Sequence, residues 1–267
     1  MRTFITALIL ALSSSVFAAQ QPPLPLDQCK VEAPYGFPLD KKTSVTKICR
    51  KGYVLEHDNN AKIPVWVSYT LMPNNVVGCV KRSNKYATDK SLPRGSAATP
   101  KDYAKSGYDM GHQANDGDMG WDMQVEEDSF ILSNMTPQLP GFNRGIWKKL
   151  EDHVRGWTLS RKHTLLIYAG PVYNRKQDEM IGKGMVTVPH AFYKIIVDTV
   201  TNEAMVFLFP HEPADDDLET FMTSLAEVQK ETGITFPMPK GVKFSDDMWN
   251  VVFKTAISAR RTVCSLK

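Results

Sequence analysis

The sequence predicts an α+β fold with a largely antiparallel central sheet and flanking helices. Strand-like and helix-like runs are interspersed along the chain, without the regular βαβ alternation that builds a parallel sheet. Two strand-like runs flank a short turn, which predicts a hairpin of antiparallel strands. With 42% apolar and 23% charged residues and a net charge of +3, the composition excludes a disordered polyelectrolyte, a collagen-like chain and a multi-span membrane protein.

The first 19 residues are typical of a secretory signal peptide. Arg2 supplies a short positive region, residues 4–12 form an apolar run, and small residues up to Ala19 offer a cleavage site. The apolar run is shorter than the ~20 residues that span a bilayer, which disfavours the alternative of an uncleaved anchor. We therefore expect a periplasmic or secreted protein that has no membrane contact after cleavage.

The remaining chain divides into an extended, proline-rich lead-in at residues 20–45 and one predicted domain at residues 46–267. A basic loop at residues 81–105 precedes an acidic stretch. Turn-forming residues at 58–60 separate the two strands of the predicted hairpin. Strands are predicted at residues 47–56, 63–71, 164–168, 185–188, 191–198 and 204–209.

Two helices are predicted from apolar residues at helical spacing. The first begins at Asn143, and Gly156 is expected to end it. The second begins with Asp216 and Glu219, three residues apart as in a capping box, and runs to Gly233.

The four cysteines form an even set without a CxxC spacing, which argues against a zinc site and a thioredoxin-like motif. In an exported protein we expect two disulfides. Three pairings are open, and at least one bridge must close the N-terminal third on itself or join the two ends. The cysteines are Cys29, Cys49, Cys79 and Cys264.

Three short motifs between residues 108 and 151 carry the functional information. They read YDMGHQA at 108–114, SNMTPQ at 133–138 and FNRGIWKKLE at 142–151. Each motif alone is weak, because a histidine after glycine or an asparagine in a turn is usually structural. Together they strongly resemble the DNA/RNA non-specific endonuclease family, the ββα-metal nucleases related to endonuclease G and to secreted bacterial nucleases.

The resemblance extends over most of the chain after residue 19. Upstream, the sequence PVWVSY at 64–69 and the basic loop that holds Arg82 resemble the first strands of the family. Downstream, IYAGPVY at 167–173 and VPHAFYK at 188–194 resemble its later strands, and TGITF at 232–236 resembles the end of its last helix. The resemblance therefore implies a ββα-metal nuclease site within the α+β fold.

By this resemblance, His112 is the general base and Asn143 is the direct ligand of a hydrated Mg²⁺, with Mn²⁺ as a substitute. The chemistry of the side chains agrees with these roles. Histidine titrates near neutral pH and can take a proton from water. Mg²⁺ prefers oxygen ligands and keeps several of its waters, and the amide of Asn143 offers such an oxygen.

Helical spacing limits the role of Glu151. In a regular helix, Asn143 and Glu151 would share one face but lie about 12 Å apart along the axis, too far for one inner coordination shell. We therefore predict that Glu151 contacts the cation through water. Arg155 and Arg82 are expected to face phosphate oxygens, because the forked guanidinium suits them.

Two further residues of these motifs are given supporting roles. Asn134 is predicted to orient neighbouring backbone or the histidine rather than to bind metal. Trp147 lies on the same predicted helix as Glu151, and we expect it in the core rather than stacked on substrate.

The sequence departs from the family at Met110, where the family motif Asp-Arg-Gly-His has an arginine. Methionine cannot neutralise a phosphate. Two explanations are open: the site is impaired, or a nearby cation replaces the arginine, for which Arg94, Lys105 and Arg144 are candidates. We favour replacement, because the other residues of the motifs are present.

The sequence thus predicts an exported, Mg-dependent endonuclease that acts on DNA and RNA with little sequence preference. Contacts to phosphate and sugar suffice for such cleavage, and the basic loop can supply them. The alternative is a catalytically weakened protein that uses the nuclease fold to bind nucleic acid or a protein partner. Relatives in the family dimerise, and the resemblance extends the expectation of a homodimer to this chain.

Overall fold

The structure, a computed structural model, describes residues 20–215, 217–250 and 264. The predicted signal peptide and Asp216 lie outside the described residues. Within them, no helix is both long and apolar enough to cross a lipid bilayer.

The strands form one large sheet and two small ones. Within the described residues, seven strands make the large sheet, in the spatial order β1-β2-β3-β6-β9-β10-β11, and β4 pairs with β5 and β7 with β8. All pairs are antiparallel except the short contact of β10 with β11. In chain order the strands are β1 Val45–Cys49, β2 Val54–Asp58, β3 Ile63–Leu71, β4 Asp109–His112, β5 Met135–Gln138, β6 Leu165–Val172, β7 Met180–Ile181, β8 Val186–Thr187, β9 Ala191–Asp198, β10 Glu203–Pro210 and β11 Lys243–Phe244.

Most helices in the described part of the chain are short, and the longest carries part of the candidate site. The α-helices are α1 Pro73–Val76, α2 Pro100–Tyr103, α3 Asp116–Met119, α4 Met123–Ser129, α5 Pro140–Phe142, α6 Lys148–Arg161 and α7 Leu225–Thr232. A π-helical segment, Asn143–Trp147, joins α5 to α6, and 3₁₀ turns lie at Leu26–Gln28, Leu132–Asn134 and Leu218–Phe221. The predicted α+β fold with a largely antiparallel sheet is confirmed.

The predicted strand at residues 47–56 is wrong as one element, since a tight turn divides it into β1 and β2. The Arg50 N–H donates to the Tyr53 carbonyl over 2.8 Å and closes this turn. Gly52 lies in the turn, where any side chain would collide with Val125 of α4. The apolar residues on both sides disguise the turn in the sequence, so the hairpin is in fact a three-stranded meander.

The first predicted helix does not end at Gly156 but continues to Arg161. Gly156 is buried within α6. A glycine inside a helix costs only about 1 kcal/mol of stability relative to alanine, and the packing of the following turn against the sheet offsets this cost. The true end lies at Lys162, whose left-handed backbone, with φ of 59°, reverses the chain.

The second predicted helix begins later than its sequence indicates. Residues Leu218–Phe221 form a 3₁₀ turn, and α7 follows it with Ser224 as its N-cap, the side chain of which accepts a hydrogen bond from the Glu227 N–H over 3.1 Å. Ser224 therefore takes the capping role that the sequence suggested for Asp216. The predicted end at Gly233, with φ of 70°, is confirmed.

Both faces of the large sheet are covered. On one face, Leu150, Val154 and Trp157 of α6 pack in one cluster with buried strand residues such as Phe207. On the other face, Val228 of α7 packs with the following segment and with the opposite side chains of the same strands. Helix α6 is therefore fixed against the sheet along its apolar side. This packing also fixes the position of the opposite side of the helix, which carries residues of the candidate site.

The disulfides pair Cys29 with Cys49 and Cys79 with Cys264. The first closes the N-terminal third on itself, and the second links that third to the end of the chain, so both arrangements anticipated from the sequence occur together. The lead-in is also tied by backbone: the Leu24 N–H donates to Cys49 O over 2.8 Å, and the Leu39 N–H to Thr235 O over 3.0 Å.

Removal of the long-range bridge should destabilise the protein. The Cys79–Cys264 bond spans 185 residues, and a cross-link of this kind restricts the unfolded chain. We expect the double variant Cys79→Ala with Cys264→Ala to lose about 2–4 kcal/mol of unfolding free energy, measured by urea titration against the oxidised parent protein. An unchanged midpoint would show that this bond does not contribute to stability.

Candidate active site

The candidate site begins with the hairpin of β4 and β5. Asp109 pairs with Gln138 and His112 with Met135, so the two ends of the YDMGH motif lie at opposite ends of the hairpin. Gly111 between them is required, because any side chain there would collide with that of Gln138. After β5 the chain turns through α5 and returns past the hairpin in the π-helical segment.

The π-helical segment changes the geometry that the sequence predicted for the helix face. Gly145 departs from helical geometry, with φ of −98° and ψ of −113°, so Asn143 does not continue the regular spacing of α6. The prediction that Asn143 and Glu151 lie on one face of a regular helix is therefore wrong at its first turn. Interruptions of this kind are frequent at functional sites, because they redirect one or two side chains. Trp147 at the end of the segment is fully buried, as predicted.

A cleft of about 810 Å³ lies between the hairpin, the basic loop and α6. It brings together five of the six residues that the sequence singled out, which come from positions up to 73 residues apart in the chain. Asn134, the sixth, does not line it. The five are Arg82, His112, Asn143, Glu151 and Arg155.

His112 is enclosed, with only 7% of its surface exposed. Its ring packs edge-on against Phe130, with 4.9 Å between centroids, and Nε2 has no hydrogen-bond partner among the described residues. Burial lowers the pKa of His112 to about 4, although the Asp116 carboxylate opposes this shift. The imidazole is therefore neutral near pH 7, which is the form that can accept a proton.

The depressed pKa of His112 predicts how stability changes with pH. The unfolded histidine titrates near 6.5 and the folded one near 4, so between these values the unfolded chain binds more protons and stability falls as pH falls. When the pH falls from 7.5 to 5, we expect the free energy of unfolding to decrease by about 2 kcal/mol more in the wild type than in His112→Gln. Urea titrations with a chelator present measure this difference. Equal losses in the two proteins would contradict the buried neutral ring.

Asn134 holds the chain next to His112. Its Nδ2 donates to the carbonyls of Ala114, over 2.8 Å, and Ser129, over 2.9 Å, and its Oδ1 accepts from the Ala114 N–H over 2.9 Å. The Gln113 N–H also donates to the Asn134 carbonyl over 3.0 Å. This buried amide therefore joins the segment after the histidine to the 3₁₀ turn before β5.

Asp109 connects Asn143 to its neighbour Arg144. The Asn143 Nδ2 donates to Asp109 Oδ2 over 2.9 Å, which leaves the carbonyl oxygen of the amide as the atom that could hold a cation. Arg144 binds the same carboxylate through Nε, over 2.8 Å, and through Nη2, over 2.6 Å. Asp109 was not among the predicted site residues, although it begins the Asp-Arg-Gly-His motif of the family. Of the three replacement cations considered, Arg144 lines the cleft, whereas Arg94 and Lys105 do not.

Glu151 lies at the inner end of the cleft beside a buried lysine that the sequence analysis missed. Lys194 Nζ is 3.9 Å from Glu151 Oε1 and 4.2 Å from the centre of the Trp147 ring, and it has no hydrogen-bond partner among the described residues. Burial raises the pKa of Glu151 to about 7, opposed by Lys194 and Arg155, and burial lowers the pKa of Lys194. The sequence feature that could have indicated Lys194 is its position as a lysine within the apolar run of β9.

The two predicted phosphate contacts are both held by acidic side chains. Arg155 donates to Asp118 Oδ1 over 2.8 Å and to Asn115 Oδ1 over 2.9 Å. It lies so close to Gly117 that a Cβ there would be 2.7 Å from Nη1. Arg82 forms an ion pair with Asp116 and donates to the Tyr86 hydroxyl over 3.1 Å. Both guanidinium groups are thus oriented at the cleft.

The donor atoms in the cleft fit a hard, hydrated divalent cation. Within the described residues, no three His, Cys, Asp or Glu side chains form a cluster that could enclose a metal ion. The cleft instead offers the amide oxygen of Asn143 and the carboxylate of Glu151. Oxygen donors without a thiolate suit a hard cation that keeps several waters, and they do not suit a zinc site.

A two-stranded hairpin that carries His112, followed by a helical segment that begins at Asn143, is the arrangement of a ββα-metal nuclease. The chain matches the family described as DNA/RNA non-specific endonuclease over residues 33–241. It belongs to this family, as its motifs predicted, and the family is one of metal-dependent nucleases.

Named relatives and a solved structure agree with this assignment. The chain is 29% identical to mitochondrial endonuclease G of Homo sapiens over 70% of this chain and 68% of the relative. It is 32% identical to a nuclease of Nostoc sp., over 69% of this chain and 70% of the relative. It is 29% identical to a nuclease of Serratia marcescens, over 85% of this chain and 87% of the relative. The crystal structure of the EndoG/EndoGI complex contains a chain that matches with a TM-score of 0.70 and 29% identity, over 79% of this chain and 91% of that one.

Proposed function

We propose that this protein is an exported, Mg-dependent endonuclease that hydrolyses phosphodiester bonds in DNA and RNA with little sequence preference. The observation that carries the proposal is the single cleft lined by His112, Asn143 and Glu151 together with two arginines. Membership in a family of non-specific nucleases supports the same chemistry.

In this mechanism His112 is the general base. Its neutral imidazole accepts a proton from water through the edge of the ring that lines the cleft, while the water oxygen bonds to phosphorus, the bond from phosphorus to the leaving oxygen breaks and that oxygen takes a proton from solvent water. A hydrated Mg²⁺, for which Mn²⁺ can substitute, supplies neutralisation of phosphate charge when bound. Asn143 holds this cation directly, Glu151 contacts it through water, and Asn134 keeps the backbone beside His112 in place.

Arg82 and Arg155 contact the phosphate oxygens of the substrate. Their acidic partners fix the two guanidinium groups before substrate arrives, which reduces the entropy lost on binding. Contacts to the sugar–phosphate backbone carry no base information, so cleavage at many sequences is expected.

Export is part of the proposal. Two disulfides are typical of proteins that fold in oxidising compartments, and the first 19 residues have the pattern of a signal peptide. We place the mature protein in the periplasm or outside the cell. A homodimer remains a prediction, which light scattering during gel filtration would test.

Incubation of the purified protein with supercoiled plasmid and with a structured RNA tests the function. With Mg²⁺ or Mn²⁺ we expect nicked and then fragmented DNA, together with degraded RNA. A chelator should stop both reactions. Intact substrates at every metal concentration would contradict the proposal.

The alternative is a catalytically weakened protein that binds nucleic acid or a protein partner, and Met110 in the cleft is the observation that favours it. A gel-shift measurement on the same plasmid distinguishes the two functions. Retarded but uncleaved DNA in the presence of Mg²⁺ would support the alternative.

A further inference from the structure

The three arginines of the cleft differ in their freedom to meet a ligand. The exposed fraction of the side chain is 43% for Arg82, 15% for Arg155 and 72% for Arg144. Arg155 is enclosed between carboxylates, and Arg82 binds a carboxylate and a tyrosine hydroxyl. Arg144 is thus the most exposed of the three guanidinium groups.

Arg144 is nevertheless oriented. Its Nε and Nη2 hold both oxygens of Asp109, which fixes one edge of the planar group. The opposite edge, which includes Nη1, has no acceptor among the described residues, and a phosphate can take two hydrogen bonds from such an edge. The guanidinium is therefore ready to bind an anion without losing the Asp109 contact.

The same carboxylate places Arg144 beside the predicted metal ligand. Asp109 Oδ2 accepts hydrogen bonds from both Asn143 and Arg144, so the amide and the guanidinium lie on one side of the hairpin end. Met110, the next residue in β4, packs against an apolar cluster and offers no charge. At this end of the cleft the positive charge comes from the π-helical segment and not from the strand.

We infer that Arg144 binds a backbone phosphate of the nucleic-acid strand beside Asn143 and supplies the positive charge that Met110 does not provide. This inference rests on the proposed function, since it assigns a substrate contact to the same cleft. Because the guanidinium is exposed and already oriented, the contact forms when substrate binds. It therefore acts on KM more than on kcat.

The test compares Arg144→Gln with Arg175→Gln, which removes the same charge from an exposed position outside the cleft. We expect Arg144→Gln to raise KM for DNA about tenfold at low salt and to leave kcat within about twofold. The slope of log KM against log salt should fall by about 0.7–0.9, the amount for one phosphate contact. Arg175→Gln should match the wild type.

A third variant separates this contact from an indirect effect through Asp109. Arg144→Lys keeps the charge and should keep the salt slope of the wild type. A merely structural role for Arg144 would instead appear in both variants as a changed Mg²⁺ dependence, because Asp109 also holds Asn143. That outcome would overturn the inference.

Binding measured without turnover makes the two failures distinguishable. In a chelator, the anisotropy of a labelled oligonucleotide should report weaker, less salt-dependent binding by Arg144→Gln, even if the wild type cleaves nothing. Weaker binding by Arg144→Gln, together with no cleavage by the wild type, would overturn the proposed function and support the Arg144 contact. A wild type that cleaves, with Arg144→Gln indistinguishable from Arg175→Gln, would overturn the Arg144 contact alone.

Discussion

Replacement of His112 with alanine should lower the rate of phosphodiester hydrolysis by about 10²–10⁴-fold, the range that a general base contributes. The reason is the neutral ring that lines the cleft, which can accept a proton from water. Initial rates on a labelled duplex, at saturating Mg²⁺ and pH 7.5, measure the effect.

A matched control is available for this variant. His190→Ala removes a histidine that is half exposed, pairs with Asp178 and lies outside the cleft, and it should keep wild-type activity. Because the ring of His112 packs on Phe130, circular dichroism must first show that the alanine variant is folded. A folded variant within tenfold of the wild-type rate would remove His112 from the base role.

Replacement of Asn143 with alanine should weaken the apparent affinity for Mg²⁺ by more than about 100-fold, because a cation with few protein ligands loses its direct one. Glu151→Gln should be milder, about 10–100-fold, as is usual for groups outside the inner shell. The metal concentration that gives half-maximal cleavage measures both. The assignment of inner and outer positions fails if Glu151→Gln has the larger effect.

The sequence predicted those strands that have a recognisable apolar run. Strand-like runs correctly indicated strands β3, β6, β9 and β10, with ends displaced by at most one residue except at the end of β6, which continues to Val172. Prediction failed where tertiary contacts outweigh local preference. Gly156 does not interrupt α6, because the helix is packed on the sheet on both sides of it.

The site was predicted as a set of residues but not as a network. Motif resemblance identified five of the residues that line the cleft. It could not identify Lys194, which reaches Glu151 from a strand 43 positions later in the chain. Nor could it show that Asp109 is shared by Asn143 and Arg144, because this depends on the departure from regular helix at Gly145.

The buried position of Lys194 also has a consequence for how the sheet assembles. Lys194 pairs with Phe207 of β10 and Ala169 of β6, and its side chain lies on the face covered by α6. A slip of β9 by one residue would turn every side chain to the opposite face and put this ammonium among the apolar residues under α7. There the ammonium would lose its contacts with Glu151 and Trp147, and an unpaired buried charge is heavily penalised. A single lysine therefore marks one strand alignment as correct while the chain folds, before any substrate is present.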